Sequence, residues 1–365
     1  MKKILALLAV VAILLGTMTA CSSNTGDKAS TVDVGIVLPT KDEPRWIQDE
    51  TRFTDALAST NYSVEILFSQ GSTATELSNV ETLLAKGIKV LIITAQDGTA
   101  AGAAVEKAKA EGVTVIAYDR LITNTEAVDY YVTFDSIAVG AAQAQYLVDH
   151  ATGTGNPLYL YAGAASDNNA FLFFEGAWNV LQPKIADGTF VIKNSSKAVE
   201  LAANATLTRE QMADILGQIT TNWDFNTAKN LAESNLTAAA AADKGNVFIL
   251  APNDGTARAI ADAFSADTAV TSYLVTGQDA ETASVAYIRD GKQSMTVFKD
   301  VRTLVTDAIG MAVDVLDGKT PTTTGAYNNG VKDVPAKQTN VVVVDQANWQ
   351  KELVDSGYYT AADIK

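Results

Sequence analysis

The sequence predicts an α/β protein with two doubly wound parallel-sheet domains. It contains 365 residues, of which 47% are hydrophobic and 19% are charged. A chain of this size buries more than one compact core usually holds, so two domains are expected. From Val32 onward, short runs rich in Val and Ile alternate with Ala-rich amphipathic stretches, which is the pattern of βα units. The runs are almost continuously apolar, as strands covered on both faces should be.

Two series of strands follow one another along the chain. The first series is predicted at 34–38, 64–68, 90–94, 113–118 and 130–134. The second is predicted at 158–161, 190–193, 247–250, 273–276 and 294–298, with a late strand at 341–344. Helices are expected at 137–150 and from Ala170, while 194–222 is expected to be helix plus loop. The segments 153–157 and 318–330 are turn-rich breaks.

Composition excludes several classes of function. The chain has 27 Lys and Arg against 42 Asp and Glu, a net charge of -15, with no basic stripe, so nucleic acid is not an expected partner. One Cys excludes an internal disulfide, and one His removes most zinc sites and hydroxyl nucleophiles with an imidazole base. Phosphate-binding, dinucleotide and nucleophile-elbow motifs are also absent. We therefore expect no catalytic residue, no metal and no cofactor.

The first twenty residues have the pattern of an export signal. Lys2 and Lys3 precede an uncharged apolar run at 4–15, and small or flexible residues at 16–20 lead to Cys21. The alternative, a membrane-spanning helix, is disfavoured because the run is shorter than the roughly 20 apolar residues that a bilayer requires.

Cys21 marks the predicted start of the mature chain. It follows Met18-Thr19-Ala20, a sequence that resembles the lipobox of bacterial lipoproteins, in which cleavage exposes the Cys for lipidation. The alternative is an incidental thiol in a discarded leader. We expect residues 1–20 to be a signal peptide and 21–32 to be a lipidated Cys and flexible tether. The protein would then be exported and anchored by lipid to the outer face of the cytoplasmic membrane, or be periplasmic in a Gram-negative cell.

Polar side chains follow almost every predicted strand end. They are Arg45, Asp119, Arg120, Asp135, Asn168, Asn169, Asn253, Asp279 and Lys299. In open parallel sheets, ligands bind beyond the carboxyl ends of the strands, so these side chains are expected to meet in one cleft. Arg, Asn and Asp can each engage two adjacent groups, which suits a ligand with many vicinal hydroxyls, such as a sugar. Trp46 and Trp223 lie near these clusters and can pack on sugar C–H surfaces.

Several of these residues have a purely structural alternative. Asp135 is equally suited to cap the helix that follows it, and Asn168 and Asn253 can be turn or cap residues. Asp119 and Arg120 can form a surface ion pair, usually worth roughly 0–1 kcal/mol. Structural capping does not, however, require Arg, Lys and Trp at the same strand ends. The cluster as a whole therefore favours a ligand site.

The strand-end motifs together resemble one protein family. They are Pro44-Arg45-Trp46, Ala117-Tyr118-Asp119-Arg120, Asp167-Asn168-Asn169-Ala170, Gly277-Gln278-Asp279-Ala280 and Met295-Thr296-Val297-Phe298-Lys299. In this order they resemble the xylose and multiple-monosaccharide binding proteins of bacterial ABC transporters, within the type I periplasmic binding protein superfamily. The tail, from Asn329-Gly330-Val331-Lys332 to Asp355-Ser356-Gly357-Tyr358-Tyr359, is similar to the multiple-monosaccharide branch. The resemblance covers nearly all of 33–365.

This resemblance implies a fold with two lobes joined by a three-strand hinge, with crossings near Asp135, Lys299 and Val334. It places 33–135 and 300–334 in the N-terminal lobe, and 136–299 and 335–365 in the C-terminal lobe. It also implies that Trp46 packs on the sugar ring and that Trp223 belongs to the second lobe. The residues that it implies as hydrogen-bonding partners of the sugar are Arg45, Asp119, Arg120, Asn169, Asn253, Asp279 and Lys299.

The function implied is that of a monomer that closes on a monosaccharide and docks on an ABC transporter permease. The ligand is expected to be an aldopentose or aldohexose, such as xylose, glucose, galactose or arabinose, and no bond is broken. A sugar sensor that presents its ligand to a chemotaxis or signalling receptor is the first alternative. A lipid-anchored glycosidase and an amino-acid binder are others. A transcription regulator with this fold would need a DNA-binding segment where the export signal stands.

Overall fold

The first sheet has seven strands and is parallel except at one edge. The computed structural model describes residues 32–58 and 60–365, and the predicted signal peptide, Cys21 and 22–31 lie outside them. The strands are β1 (Val34–Leu38), β2 (Val64–Phe68), β3 (Val90–Ile93), β4 (Thr114–Tyr118), β5 (Tyr130–Phe134), β11 (Gly325–Asn328) and β12 (Asp333–Thr339). Their order is β11-β12-β5-β4-β3-β1-β2, and only β11 runs antiparallel to its neighbour. β1 and β3, in mid-sheet, are entirely buried.

Helices cover both faces of this sheet and form the first lobe with it. They are α1 (Pro44–Leu57), α2 (Thr73–Ala85), α3 (Gly102–Ala110) and α11 (Val301–Leu316). Leu83 and Val105 pack on one face, while Phe53 and Leu304 pack on the other. Burying a side chain of this size contributes roughly 1.5–3 kcal/mol, so these faces hold the helices in place. α1 begins at Pro44, whose fixed φ suits the first helical turn.

The second lobe is built on a four-stranded parallel sheet of order β7-β6-β8-β9. The strands are β6 (Asn156–Leu160), β7 (Phe190–Ile192), β8 (Gly245–Leu250) and β9 (Val270–Val275). The helices are α4 (Ser136–His150), α5 (Asn168–Ala186), α6 (Ser196–Glu200), α7 (Arg209–Ile219), α8 (Phe225–Ala238), α9 (Asp254–Ala266) and α10 (Thr282–Arg289), with a 3₁₀ turn at Ala241–Asp243.

Two glycines allow α4 and α5 to pack in backbone contact. A Cβ on Gly140 would lie 1.8 Å from the carbonyl oxygen of Phe173, and one on Gly176 would lie 2.0 Å from that of Ile137. Only a residue without a side chain fits at either position. The close approach fixes the N-terminal half of α5, which carries Asn169 and Phe173.

A third, two-stranded antiparallel sheet is separate from the two larger sheets. It pairs β10 (Met295–Phe298) with β13 (Val342–Asp345), and a π-helical turn follows at Gln350–Asp355. The chain therefore passes between the two halves of the fold three times, after β5, after β10 and after β12. The predicted α/β class, with parallel sheets in two domains, is confirmed. Across residues 32–58 and 60–365, none of the helices has the length and apolar character to cross a membrane.

The predicted strands are present, with ends that differ by up to three residues. The segment 194–222 contains two short helices, α6 and α7, where one helix plus loop was expected. β11 was not expected, because it lies within 318–330, which has the composition of a turn-rich break, and β12 was not expected, because 333–339 has no continuous apolar run. The predicted boundary between lobes at 334 falls inside β12, which continues to pair with β5 as far as Thr339.

Candidate functional site

A cavity of about 300 Å³ lies where the strand ends of the two lobes face each other. We call it the cleft cavity. Its walls are mostly charged and planar polar side chains, together with three aromatic rings. The lining residues are Glu43, Arg45, Trp46, Asp119, Arg120, Asp167, Asn169, Phe173, Trp223, Asn253, Gln278, Asp279 and Lys299. Nine of the eleven residues predicted to contact ligand are among them.

The Arg45 guanidinium is held in place by two carboxylates of the first lobe. Its Nε donates to Asp49 Oδ2 at 2.6 Å, and its Nη2 donates to Asp119 Oδ2 at 3.0 Å. Asp49 is completely buried, one helical turn further along α1, and it also accepts a hydrogen bond from the Tyr118 hydroxyl at 2.6 Å. Such charge-assisted bonds orient the guanidinium, so Arg45 presents a fixed donor edge to the cavity.

Asp119 lies directly after β4 in a left-handed conformation, with φ 62°. Its carbonyl oxygen accepts hydrogen bonds from the Tyr131 hydroxyl at 2.7 Å and from Asn169 Nδ2 at 2.9 Å. Burial by itself would raise the pKa of Asp119, but the positive charges of Arg45, Lys299 and Arg120 outweigh it and hold that pKa below its ordinary value. Asp119 is therefore a charged acceptor at neutral pH.

Two buried ion pairs complete the charged wall. Arg120 Nε lies 2.9 Å from Asp167 Oδ2, which joins the first lobe to the start of α5 in the second. Lys299 Nζ lies 2.8 Å from Asp279 Oδ1, and Arg45 Nη1 lies 3.5 Å from the same oxygen. Burial raises the pKa of Asp167, although Arg120 opposes this. All these charges are paired, as buried charges must be.

A buried carboxyl group, Asp254, supports the strand-end loop that carries Asp279. Its Oδ2 accepts hydrogen bonds from the Glu281 amide at 2.9 Å and from the Thr296 hydroxyl at 3.0 Å, and its Oδ1 accepts one from Gln293 at 2.8 Å. Burial and the nearby carboxylates of Glu281 and Asp279 raise its pKa well above the ordinary value. The loop it supports is strained, since Asp279 has φ 99°.

Aromatic rings provide the apolar part of the cavity. The guanidinium carbons of Arg45 and Arg120 lie 4.9 Å and 5.1 Å from the centre of the Trp46 ring. Trp223 meets Phe173 edge to face, with ring centres 6.3 Å apart. These rings offer flat faces beside fixed donors and acceptors, which is the combination that a polyhydroxylated ring requires.

Two predicted residues do not line the cavity. The Asp135 carboxylate accepts a hydrogen bond from the Ala138 amide at 2.9 Å and caps α4. Asn168 Oδ1 accepts one from the Arg209 guanidinium at 2.7 Å, on the exposed side of α5. Asn253 lines the cavity and also caps α9, where its side chain accepts a hydrogen bond from the Thr256 amide. Capping thus accounts fully for Asp135 and only partly for Asn253.

Four lining residues were not predicted from the sequence: Glu43, Asp167, Phe173 and Gln278. Asp167 and Gln278 each directly precede a predicted site residue, Asn168 and Asp279 respectively. Phe173 follows Asn169 by one helical turn, a spacing that places both on one face of α5. Glu43 directly precedes Pro44, and burial raises its pKa to about 6.

Comparison with known proteins places this geometry in a family. Residues 34–320 match the family model described as a periplasmic binding protein domain. The multiple sugar-binding periplasmic receptor ChvE of Rhizobium radiobacter is 38% identical, over the full length of both chains.

Two solved structures have the same fold. A carbohydrate transporter solute binding protein from Chloroflexus aurantiacus, in complex with D-glucose, is 75% identical with a TM-score of 0.90, covering 91% of this chain and 98% of its own. An ABC transporter solute binding protein from Clostridium phytofermentans, with bound β-D-glucose, is 33% identical with a TM-score of 0.80, covering 91% and 99%. The cleft cavity, the two-lobed fold and these likenesses agree, and this chain belongs to the periplasmic binding protein family.

Proposed function

We propose that this chain is the extracytoplasmic substrate-binding component of an ABC transporter and that it binds a monosaccharide in the cleft cavity. The observation that carries the proposal is the composition of that cavity, in which fixed cations, carboxylates and amides from both lobes surround aromatic faces. The protein is not an enzyme. The substrate class is a neutral aldopentose or aldohexose, such as xylose, glucose, galactose or arabinose.

The lining residues supply both the donors and the acceptors that sugar hydroxyls need as hydrogen-bond partners. Arg45, Arg120 and Lys299 donate, Asp119 and Asp279 accept, and Asn169 and Asn253 can do both. Trp46 and Trp223 pack on the C–H faces of the ring. An analogue that lacks one hydroxyl would leave a buried polar group unpaired, at a cost of roughly 1–3 kcal/mol, which is how such a site discriminates.

Binding closes the two lobes on the sugar. Hinge closure around a ligand is established for periplasmic binding proteins as a class. A ligand can drive closure only if it interacts better with the closed form than with the open one. Contacts from both lobes provide this difference, because each lobe alone offers only part of the hydrogen-bonding set. The hinge consists of three crossings, near Asp135, near Lys299 and just after β12 ends at Thr339.

The closed form presents the sugar to a membrane permease, and the binding protein acts as a monomer. Export follows cleavage before Cys21, and lipid on that residue anchors the chain to the outer face of the membrane, with 22–32 as a tether. A second function is favoured by one relative, since ChvE is described as a receptor. In that function, the same closed form presents sugar to a signalling partner.

Isothermal titration with a panel of aldoses tests the proposal. We expect saturable one-to-one binding of at least one pentose or hexose, and silence across the whole panel would contradict it. Mass spectrometry of ligand retained through native purification identifies the ligand class without presuming it. Capture of partner proteins in the presence of the bound sugar distinguishes a permease from a signalling receptor.

A further inference from the structure

A second, larger cavity of about 1220 Å³ adjoins the cleft cavity. We call it the outer chamber. Glu43, Trp223 and Asn253 line both cavities, so the two share part of their wall. The remaining lining residues of the outer chamber are Thr40, Asp42, Pro44, Gly71, Gln96, Asn222, Asp224, Phe225, Asn226, Gly255, Arg258 and Glu281. The sugar site proposed above does not use any of these twelve.

The walls of the outer chamber come from both lobes. Thr40, Gly71 and Gln96 follow the ends of β1, β2 and β3 in the first lobe. The segment 222–226, at the start of α8, and Arg258 in α9 belong to the second lobe. An occupant would therefore touch both lobes, as the sugar does, and its contacts would favour the same closed form.

The chemistry of the chamber matches a ring with hydroxyl groups. Phe225, a large apolar side chain, is 41% exposed there. Three amide side chains line the same chamber, namely those of Gln96, Asn222 and Asn226. An exposed aromatic face is unremarkable alone, but beside several amides it can pack on the C–H surface of a sugar while they bind its hydroxyls.

Apart from Glu281 Oε2, which is ion-paired with Arg258, two buried polar atoms of residues that line the chamber have no hydrogen-bond partner among the described residues. They are the acceptor Oε1 of Gln96 and the donor Nε1 of Trp223. Buried polar groups in proteins are normally hydrogen-bonded, so each of these unpaired atoms is a candidate contact for a bound ligand. A hydroxyl group can satisfy either atom, because it both donates and accepts.

The charge of the chamber excludes anions. Among the described residues, Arg258 is the one basic residue that lines it, and its guanidinium pairs with Glu281 at 2.7 Å. Asp42, Glu43 and Asp224 add further carboxylates. A sugar acid or phosphate entering here would meet like charges without a free cation.

We propose that the outer chamber holds the second unit of a neutral glycoside, either a second sugar ring or a flat aglycone, whose first ring occupies the cleft cavity. This inference rests on the proposed monosaccharide function and extends its substrate class to disaccharides and aryl glycosides. Phe225 packs on the second unit, and where that unit is a sugar ring, Gln96, Trp223 and Asn226 bind its hydroxyls.

The test compares one aldose with its own glycosides by isothermal titration. The aldose that binds best in the panel is titrated first, followed by its neutral disaccharides linked through each ring position and its phenyl glycosides. We expect at least one glycoside to bind one to one, with a Kd within about tenfold of the free aldose. Phe225→Ala should weaken that glycoside about fivefold and change the aldose less than about twofold, because only the glycoside reaches the aromatic face.

Matched variants separate a chamber contact from a general effect on the helix. Asn226→Ala should weaken the glycoside, whereas Asn230→Ala, one turn further along α8, exposed and outside the chamber, should not. Phe225→Trp keeps an aromatic face and should retain glycoside binding. Binding of the aldose with failure of every glycoside would overturn this proposal and leave the sugar site standing. The proposal would also be overturned if a glycoside binds with a Kd that neither Phe225→Ala nor Asn226→Ala changes. Failure of every aldose and glycoside would overturn both proposals.

Discussion

The buried ion pair between Arg120 and Asp167 crosses from one lobe to the other, and Asp167→Asn tests whether it favours closure. The two side chains are 5% and 4% exposed, and their Nε and Oδ2 atoms lie 2.9 Å apart. Asn removes the charge and keeps the shape. It also keeps the start of α5, because Asp167 caps that helix through the Asn169 amide at 2.9 Å, and Asn caps helices as well as Asp does.

The expected loss follows from the contacts that remain. In the substituted protein Arg120 would keep the Ala95 carbonyl, at 3.3 Å from Nη1, and the more distant Glu43 carboxylate, at 3.6 Å from Nη2. A hydrogen bond to a charged group contributes roughly 1.5–3 kcal/mol. If the lobes separate in the open form, both groups are hydrated there, so the loss falls on the closed form alone. At about 1.4 kcal/mol per factor of ten, the Kd for the sugar should rise roughly ten- to hundredfold.

Isothermal titration with the best aldose measures this effect, and urea unfolding shows whether stability has changed as well. Asp187→Asn is the matched control, because Asp187 is an exposed acid just beyond the other end of α5. Its Kd should stay within about twofold of the unsubstituted protein, as for most surface substitutions. A Kd for Asp167→Asn within the same range would refute the reasoning, since the pair would then contribute equally to the open and closed forms.

Three further substitutions test separate parts of the structure. Gly163→Ala places a Cβ 2.0 Å from the Trp223 ring and should weaken sugar binding in titration, whereas Gly217→Ala, in open space on α7, should not. Burial raises the pKa of Glu76 from 4.5 to about 7, so stability should fall as pH rises from about 4.5 to about 7. Glu76→Gln should reduce that fall in urea unfolding without removing it, because Glu43 and Asp254 also have raised pKa values; an unchanged pH dependence would contradict the assignment to Glu76. Cys21→Ser should move the protein from the membrane fraction to the soluble one and remove acyl mass from the mature chain; membrane retention would exclude lipid anchoring at this residue.

The convergence of the candidate residues on one cavity could be predicted where topology alone brings them together. Arg45, Asp119, Asn253 and Lys299 lie far apart in the chain, but each follows a strand, and parallel strands end at a common edge. Their convergence on one cavity therefore needed only a correct assignment of strands.

Local conformation was harder to predict. Asp119 and Asp279 have positive φ values and so lie in a backbone region that favours glycine. No residue pattern in the sequence predicts this conformation at either position. Phe173 is a large apolar residue of the kind that is normally buried in a core. Only its spacing of one helical turn from Asn169 could have predicted that it lines the cleft. Sequence patterns thus located the strand ends but not the direction in which each side chain points.

The strands β11 and β12 illustrate a different failure. Their segment is rich in Gly, Asn and polar residues, so it lacks the apolar run of a central strand. β12 is nevertheless an interior strand, between β5 and β11, with the buried side chains Val334 and Ala336 two residues apart. That alternation is the signal that could have identified it, since one buried face is enough to hold a strand.

The two strained aspartates connect binding with closure. A non-glycine residue in the left-handed region costs on the order of 1–3 kcal/mol and persists only where its surroundings hold it. In the second lobe, the backbone of Asp279 is held from within, because its amide donates to the Val297 carbonyl at 3.0 Å. Asp119, by contrast, is held partly by Asn169 from the opposite lobe. Some of its support therefore exists only when the lobes meet. A sugar that bonds to the Asp119 carboxylate would reinforce a conformation that closure already requires, and the same side chain would then set both the affinity and the conformational change.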